Sequence, residues 1–391
     1  MLKDISVSAI VAGLMAVLVS YSGPLAIVFQ AGDSAGISHQ MMTSWIWAIS
    51  MAAGVTSLAL SAWLKVPVLT AWSAPGTVLL LTLFPELSLN EAVGAYITAA
   101  LVLLLIGVTG WFDRVVHVIP RGVSAAMIGG ILFDFGLGAF RPLADYPLVT
   151  VVMVLGFVAF KLLSGSWSLV LLALLGFGLS LATLGVDTSQ LRWELASPQW
   201  ITPQWNLHST LSLALPLVIV SLTGQFLPGF AILKNAGYQV ASRPILTSLS
   251  LVSIPVALFG GITSVLAAIT ASICTSPEAH PNPDKRYIAG IANGIFYLIG
   301  GLFAGSIVLF FTSFPTVMIA MIAGLALLGA ISNSLQTALS DPDHRDAALV
   351  TFMTTASGVS LMGIGAAFWG IVLGGLVYLL SELLARRKQR R

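Results

Sequence analysis

The chain alternates long apolar runs with short polar interruptions. Reading hydropathy and helix breakers along its 391 residues gives fourteen apolar segments, near 6–29, 39–64, 66–84, 89–111, 119–139, 146–163, 167–184, 208–232, 244–260, 261–276, 286–311, 314–337, 346–363 and 366–385. A helix crosses hydrocarbon with about 20 mostly apolar residues. The pattern therefore predicts an all-α polytopic membrane protein. The first run is too long for a cleaved signal core and reads as the first span. The segments 66–84 and 261–276 are short or interrupted.

Charge position tests that count. With the N-terminus in the cytoplasm and strict alternation, fifteen Lys and Arg residues fall on the cytoplasmic side, from Lys3 and Lys65 to the C-terminal "ARRKQRR". Only Arg141 and Arg192 fall outside. One missed span would invert everything after it, so the asymmetry supports fourteen spans with both termini inside. The basic tail reads as an orientation signal beside anionic lipid, with no nucleic-acid partner.

The two halves echo each other. "VSYSG" at 19–23 returns as "VSLTG" at 220–224, "LLIGVTG" at 104–110 as "YLIGGLFAG" at 297–305, and "MIGGIL" at 127–132 as "MIAGLA" at 321–326. "PGTVLLL" at 75–81 falls opposite "GITSVLA" at 261–267. The expected organisation is a first repeat at 1–187, an extracytoplasmic linker at 188–206 and a second repeat at 207–391. Seven spans is an odd number, so the second repeat must sit upside down relative to the first. That is the inverted-repeat plan of secondary transporters, whose discontinuous helices meet near the bilayer midplane.

The third and tenth spans are the discontinuous pair. Irregular backbone at membrane depth survives only when buried in protein or lining a cavity. Pro75 suits a first helical turn and pushes Ala74 towards an extended conformation. The expectation is an extended piece, "PVLTAWSA", then a half-helix starting at Pro75. The free N–H groups of Gly76, Thr77 and Val78 would face the protein centre. In the tenth span the break is placed at Gly260 and Gly261, with Thr263 and Ser264 in the first helical turn. Two positive helix ends would then converge on one spot and hold an anion without lysine or arginine. Pro75, Gly76, Thr77, Gly261, Thr263 and Ser264 form this candidate cradle. The competing reading of each break is a plain Pro or Gly kink.

Composition narrows the class. The chain is 57% hydrophobic and 8% charged, which excludes a soluble protein of this size. The single Cys274 excludes a disulfide framework and a cysteine-based metal site. The five histidines lie at span ends or in loops without ligand spacing, so no metal or cofactor is expected. The spans lack facing acid–base groups, which argues against an enzyme, and lack rings of charge, which argues against a passive anion channel.

"YSGPLAIVFQAG", "TAWSAPGTVLL", "IPRGVSAAM", "LTGQFLPGFAILKNAGY" and "SICTSPEAHPNPDKRY" carry a resemblance that covers nearly the whole chain. It resembles the benzoate/proton symporter family, BenE, whose fold is similar to that of uracil permeases and sulfate/bicarbonate transporters. The resemblance implies a core of spans one to four and eight to eleven, a gate of spans five to seven and twelve to fourteen, homodimers, and elevator-like alternating access. It implies import of benzoate or a related aromatic carboxylate across the bacterial inner membrane, driven by the proton gradient. A nucleobase, sulfate or bicarbonate is the alternative substrate.

Nucleobase transporters of this fold carry acids in the eighth and tenth spans. Here those places hold Gln225, and Ile262 with Thr263. Neutral residues suit a carboxylate ligand, and they leave the proton site unassigned. Gln225 is a candidate amide donor, with helix–helix bonding as its other reading. Tyr21, Trp72 and Phe226 are candidate walls for the substrate ring, although aromatics in spans more often serve packing or anchoring. Asp134, near the outer end of the fifth span, is the proton-coupling candidate, against a solvated or capping role. Asn293 and Asn333 read as cross-helix bonds, with lining the cavity as the other reading.

Overall fold

The structure is a computed structural model describing residues 4–84, 86–164, 167–184, 186, 189, 191–362 and 364–389. Lys3, Arg390 and Arg391 of the orientation signal lie outside the described residues, as do Asp187, Thr188 and Gln190 around the predicted linker. Every expected segment contains a helix. Among the described residues, eight helices are long and apolar enough to cross a membrane, and nine if the pair Pro283–Leu302 and Ala304–Thr312, bent by 71°, counts as one. The other expected spans hold Ala74–Leu83, Ser168–Leu179, Ser242–Ala257, Ile269–Thr275 and Arg345–Ala356. By length these are too short to cross unaided, so hydropathy alone counts more crossings than helix length does.

Local chemistry sets the helix ends. Ser6, Ser38 and Ser88 cap the first, second and fourth spans, each accepting a backbone N–H two to three residues into its helix. Glu91 completes a capping box with Ser88. The first span runs on to Ser34, beyond the expected 29, because Pro24 restarts the helix after a break at Gly23.

The centre is a two-stranded ribbon. β1 (Thr70–Trp72) runs antiparallel to β2 (Ser264–Leu266), with Thr70 opposite Leu266, Ala71 opposite Val265 and Trp72 opposite Ser264. The Ser73 N–H donates to the Thr263 carbonyl at 3.1 Å, and the Ala267 N–H to the Leu69 carbonyl at 2.9 Å. Side chains of neighbouring spans complete the bonding. The Thr70 N–H donates to Ser57 Oγ at 3.0 Å, and the Ser264 N–H to Ser253 Oγ at 2.9 Å. Thr70 and Ser264 each open a strand, so the second and ninth spans support the two strands in the same way. The Thr70 hydroxyl also meets Thr56 Oγ1 at 2.6 Å and Ser57 Oγ at 2.8 Å, and donates to the Ala53 carbonyl.

Helix packing has the same two-fold logic. The second span packs on the eleventh and the fourth on the ninth. Exchanging the halves turns one pair into the other. Both crossings are close at glycine: a Cβ on Gly294 would lie 2.7 Å from the Gly54 carbonyl oxygen, and one on Gly107 would lie 2.9 Å from the Thr247 nitrogen. The fifth span packs on the twelfth, its own counterpart.

Residues 191–206 form an extended strap across one end of the bundle. Its N–H groups at Glu194, Ala196, Gln199, Ile201 and Gln204 donate to Ser306 Oγ, the Leu302 carbonyl, Ser44 Oγ, and the Leu258 and Asn90 carbonyls. The opposite end gathers Asp4 against Tyr287 at 2.8 Å and Lys285 at 3.6 Å, with Lys65 over the Tyr287 ring at 4.5 Å. Lys65 and Lys285, two of the basic residues that sequence alternation grouped together, thus share the face of the chain start.

At that face His344 joins the loop after the twelfth span to the last helix. Its Nδ1 meets Asp341 at 2.8 Å, its Nε2 meets Glu382 at 3.2 Å, and its ring stacks on Tyr378. Desolvation lowers the imidazole pKa, but hydrogen bonding and charge from Asp341, with Glu382, prevail and the net shift is upward. A raised folded-state pKa stabilises fully below the unfolded value of about 6.5, and the contribution is lost as pH rises through the folded value. His344→Gln should therefore lower the melting temperature in detergent at acidic pH, and the gap from the parent should shrink as pH rises. A gap that does not change with pH would contradict this assignment. Thr70→Val should cost about 1–2 kcal/mol by stripping the hydroxyl bonds behind β1. Ser221→Ala, at a buried hydroxyl without a hydrogen-bond partner, should leave the melting temperature unchanged or higher.

Candidate functional site

The third-span break forms one residue earlier than expected. Ser73 is the extended N-cap, and the half-helix is Ala74–Leu83, with Pro75 in its first turn. Ala74 is helical because the Ser73 cap and Pro75 together outweigh the pre-proline restriction. The Gly76 N–H donates to Ser73 Oγ at 3.2 Å and the Thr77 N–H to the Ser73 carbonyl at 2.8 Å. Two of the three amides expected to face a ligand are thus already bonded.

The tenth span departs further. Thr263 and Ser264 are not in a first helical turn: Ser264 opens β2, and the helix is Ile269–Thr275. The β-branched "ITSV" favours strand over helix, and β1 is there to pair with it. The two strands are Thr70–Trp72 and Ser264–Leu266, so "TAW", and not "PGTVLLL", is the counterpart of the "SVL" inside "GITSVLA". The glycines also face packing partners. A Cβ on Gly76 would lie 2.4 Å from Leu217 Cδ1, and one on Gly261 would lie 2.3 Å from Val256 Cγ1 and 3.0 Å from Ala48 Cβ. Pro75, Gly76, Thr77, Gly261, Thr263 and Ser264 all surround the ribbon and are all buried. They do not form one cradle of free amides.

The ribbon does assemble an aromatic cluster. The Tyr21 ring stacks on Trp72 with centroids 6.2 Å apart and meets Tyr297 edge-on at 5.7 Å. Trp72 and Tyr297 meet edge-on at 6.2 Å. The first, third and eleventh spans each give one ring. Tyr21 Oη is held by Ser50 Oγ at 2.7 Å, while the buried Trp72 Nε1 has no hydrogen-bond partner among the described residues. Tyr297 was missed in the sequence, although it begins the repeat "YLIGGLFAG"; an aromatic inside a span gives no signal of its own. Phe226 is not part of this cluster. It is fully buried and stacks on Phe230, which meets Phe112.

Gln225 lies in a π-helical turn, Leu222–Phe226. Pro228 follows, and its missing N–H leaves the Gly224 carbonyl without its ordinary α-helical donor. Such turns are frequent at functional sites. Gln225 is half-buried, and among the described residues its amide has no hydrogen-bond partner. Asn293 donates to the Gly13 carbonyl at 3.4 Å, tying the eleventh span to the first. Asn333 is exposed.

Asp134 is half-exposed and pairs with Arg141 at 2.5 Å. It lines a vestibule of about 570 Å³ on the strap side, with Glu86, Glu91 and His208, reaching inwards to Leu79, Ser212 and Thr355. Glu91 is held by the Ser88 N–H at 2.9 Å, by Ser88 Oγ at 2.7 Å and by Asn206. A second cavity, of about 10 Å³, lies behind the half-helix between Trp45, Thr77, Tyr96 and Gly260. Trp45 Nε1 and Tyr96 Oη have no hydrogen-bond partner there. Among the described residues no group of His, Cys, Asp and Glu could hold a metal.

Comparison with known proteins places this geometry. The family profile described as "Benzoate membrane transport protein", BenE, matches residues 3–380. The Acinetobacter baylyi "Benzoate membrane transport protein" is 51% identical over 376 residues, covering 96% of this chain and 95% of that protein. The Escherichia coli "Inner membrane protein YdcO" is 40% identical over 380 residues, 97% of each. Among solved structures, the transmembrane domain of the cyanobacterial bicarbonate transporter BicA matches with a TM-score of 0.58 at 15% identity, over 96% of this chain and 97% of that one. Murine Slc26a9 in its inward-facing state matches at 0.63 and 12% identity, over 98% of this chain and 69% of that one. At such identities the likeness shows the shared fold alone.

Gly260 is the tightest point of the second break. Its φ is +84°, and a Cβ there would lie 1.9 Å from the Trp45 ring. Gly260→Ala should abolish the monodisperse detergent-purified protein or sharply lower its melting temperature. Gly375→Ala, where a Cβ meets nothing within 4 Å, should not. Equal behaviour of the two variants would show that the break tolerates a side chain.

Proposed function

The chain belongs to the BenE family of benzoate membrane transport proteins, and from that premise we propose that it imports benzoate or a closely related aromatic carboxylate together with protons. It is a membrane transport protein rather than an enzyme, on the same fold as bicarbonate and SLC26 anion transporters. The observation that carries the substrate reading is the three-ring cluster with an unmade indole N–H. Tyr21, Trp72 and Tyr297 offer an apolar aromatic surface, and Trp72 Nε1 offers a donor that a carboxylate would accept. A buried donor left unpaired costs about 1–3 kcal/mol, which a ligand oxygen recovers. The Ala74 end of the half-helix adds partial positive charge on the same stretch of chain.

The packing supports a core that moves against a gate. Spans one to four and eight to eleven form the core, and five to seven and twelve to fourteen the gate. The second–eleventh and fourth–ninth contacts lie within the first group, while the fifth–twelfth and thirteenth–fourteenth contacts lie within the second. An elevator-like shift would slide one group on the other and keep each group's contacts. The basic residues on the face of the chain start support an inner-membrane protein with that face in the cytoplasm. Homodimers are carried over from the resemblance. The proton gradient supplies the energy, and no cofactor is needed.

Uptake of radiolabelled benzoate into proteoliposomes, with and without an inward proton gradient, tests this reading. Gradient-driven accumulation should be blocked by aromatic acids and not by uracil or sulfate. Block by uracil or sulfate would leave the fold and discard the substrate. Trp72→Phe keeps a ring and removes the donor, so it should weaken benzoate binding by about 2- to 10-fold, as expected for the loss of one hydrogen bond. Unchanged affinity would take the indole N–H out of the site.

A further inference from the structure

Among the described residues no aspartate or glutamate is buried, and Arg286 is the one buried charged side chain. Its guanidinium is committed to the carbonyls of Thr275, His280 and Pro281. Among the described residues, the groups that meet the three-ring cluster carry no fixed charge. The first span brings Tyr21, the second Ser50, the third Trp72 and the eleventh Tyr297, with Cys274 of the tenth close to Tyr297. The vestibule is lined by Glu86, Glu91 and Asp134, with His208 as the sole basic lining group among the described residues. The arginine beside it, Arg141, is paired with Asp134.

An aromatic carboxylate therefore meets like charge at the vestibule and no cation at the cluster. Helix ends offer only partial charge, and the third-span end is already capped by Ser73. Desolvation without a counter-charge raises a carboxyl pKa, by up to about 3–5 units when burial is complete. A carboxylic acid with an ordinary pKa near 4 would then hold its proton at neutral pH. Tyrosine, at about 10, and a buried thiol hold their protons throughout. They can donate hydrogen bonds, but they do not cycle a proton.

We propose that the coupled proton travels on the substrate's own carboxyl group and that no side chain of the protein carries it. This rests on the aromatic-carboxylate reading above. On the vestibule side the carboxylate takes one proton from hydronium as it is desolvated: an O–H bond of hydronium breaks, the carboxyl O–H bond forms, and water is left behind. The neutral acid crosses with the core. On the far side that O–H bond breaks, the proton returns to water and the carboxylate leaves. One carboxylate and one proton move together, with no net charge.

The test uses the full chain in proteoliposomes, with empty liposomes subtracted for passive leak and the membrane potential set by potassium and valinomycin. Saturable benzoate uptake should not respond to the potential, and a pH electrode should record one proton per benzoate. Glu86→Gln, Glu91→Gln, Asp134→Asn and His208→Gln should each keep that ratio, whatever happens to the rate. Benzenesulfonate, an aromatic anion that stays ionised, should not be carried. If a variant still moves benzoate but loses the proton, or if benzenesulfonate is carried, the proton assignment is overturned and the substrate reading stands. If the wild-type chain shows no saturable benzoate uptake, the substrate reading fails and takes this proposal with it.

Discussion

Two stretches of extended backbone lie at the centre of this protein, where no water is at hand to satisfy them, and the rest of the structure is arranged around their pairing. Unmet N–H and C=O groups at that depth cost several kcal/mol each. Thr70–Trp72 and Ser264–Leu266 answer the demand by bonding to each other. Ser57 and Ser253 then satisfy an outward-facing N–H at the start of each strand. The hydroxyls of the second and ninth spans are thus part of the broken spans, although they lie in unbroken helices. Those two helices are in turn held by the glycine crossings with the eleventh and fourth. Half-helix, ribbon and scaffold form one chain of dependence.

That dependence explains where ligand chemistry can and cannot lie. A residue that holds the break together cannot also be free for substrate. Gly76 is pressed against Leu217 and Gly261 against Val256 and Ala48. Ser73 spends its hydroxyl on Gly76. What remains available beside the ribbon is the side-chain layer just outside it: the Tyr21–Trp72–Tyr297 cluster, with an indole donor still to be matched, and Gln225 in its π turn.

The large-scale plan was legible in the sequence because it is written in quantities that accumulate along the chain. Hydropathy sums over twenty residues, so the second span came out as 39–64, where the structure has His39–Leu64. Pro75 marked the third-span break to within one residue. The tenth-span break carried no proline, and Gly260–Gly261 gave its place but not its content. Whether "ITSVLAAIT" becomes strand or helix depends on "TAW", almost two hundred residues away, and no local pattern records that pairing. The aromatic cluster was half legible for the same reason. Tyr21 and Trp72 stood beside recognisable breaks, whereas Tyr297 sits in an ordinary helix and enters the cluster only through packing. Phe226 was named for its neighbourhood in sequence, and packing turned it towards Phe230 instead.

The same reasoning accounts for a fold shared with anion transporters at 12–15% identity. Pairing two extended breaks needs only backbone, and supporting them needs only small hydroxyl residues and glycines at crossings. Many sequences meet those terms, so the fold constrains substrate very little. Specificity must then come from the few side chains that the ribbon positions without employing. In this chain those are aromatic and uncharged. An inorganic anion would gain little from three rings and would lose its hydration there. On the proposed reading, an aromatic acid brings a ring that the cluster can cover and an oxygen that the Trp72 N–H can meet, so three side chains that the backbone pairing does not use are the ones proposed to tell these substrates apart.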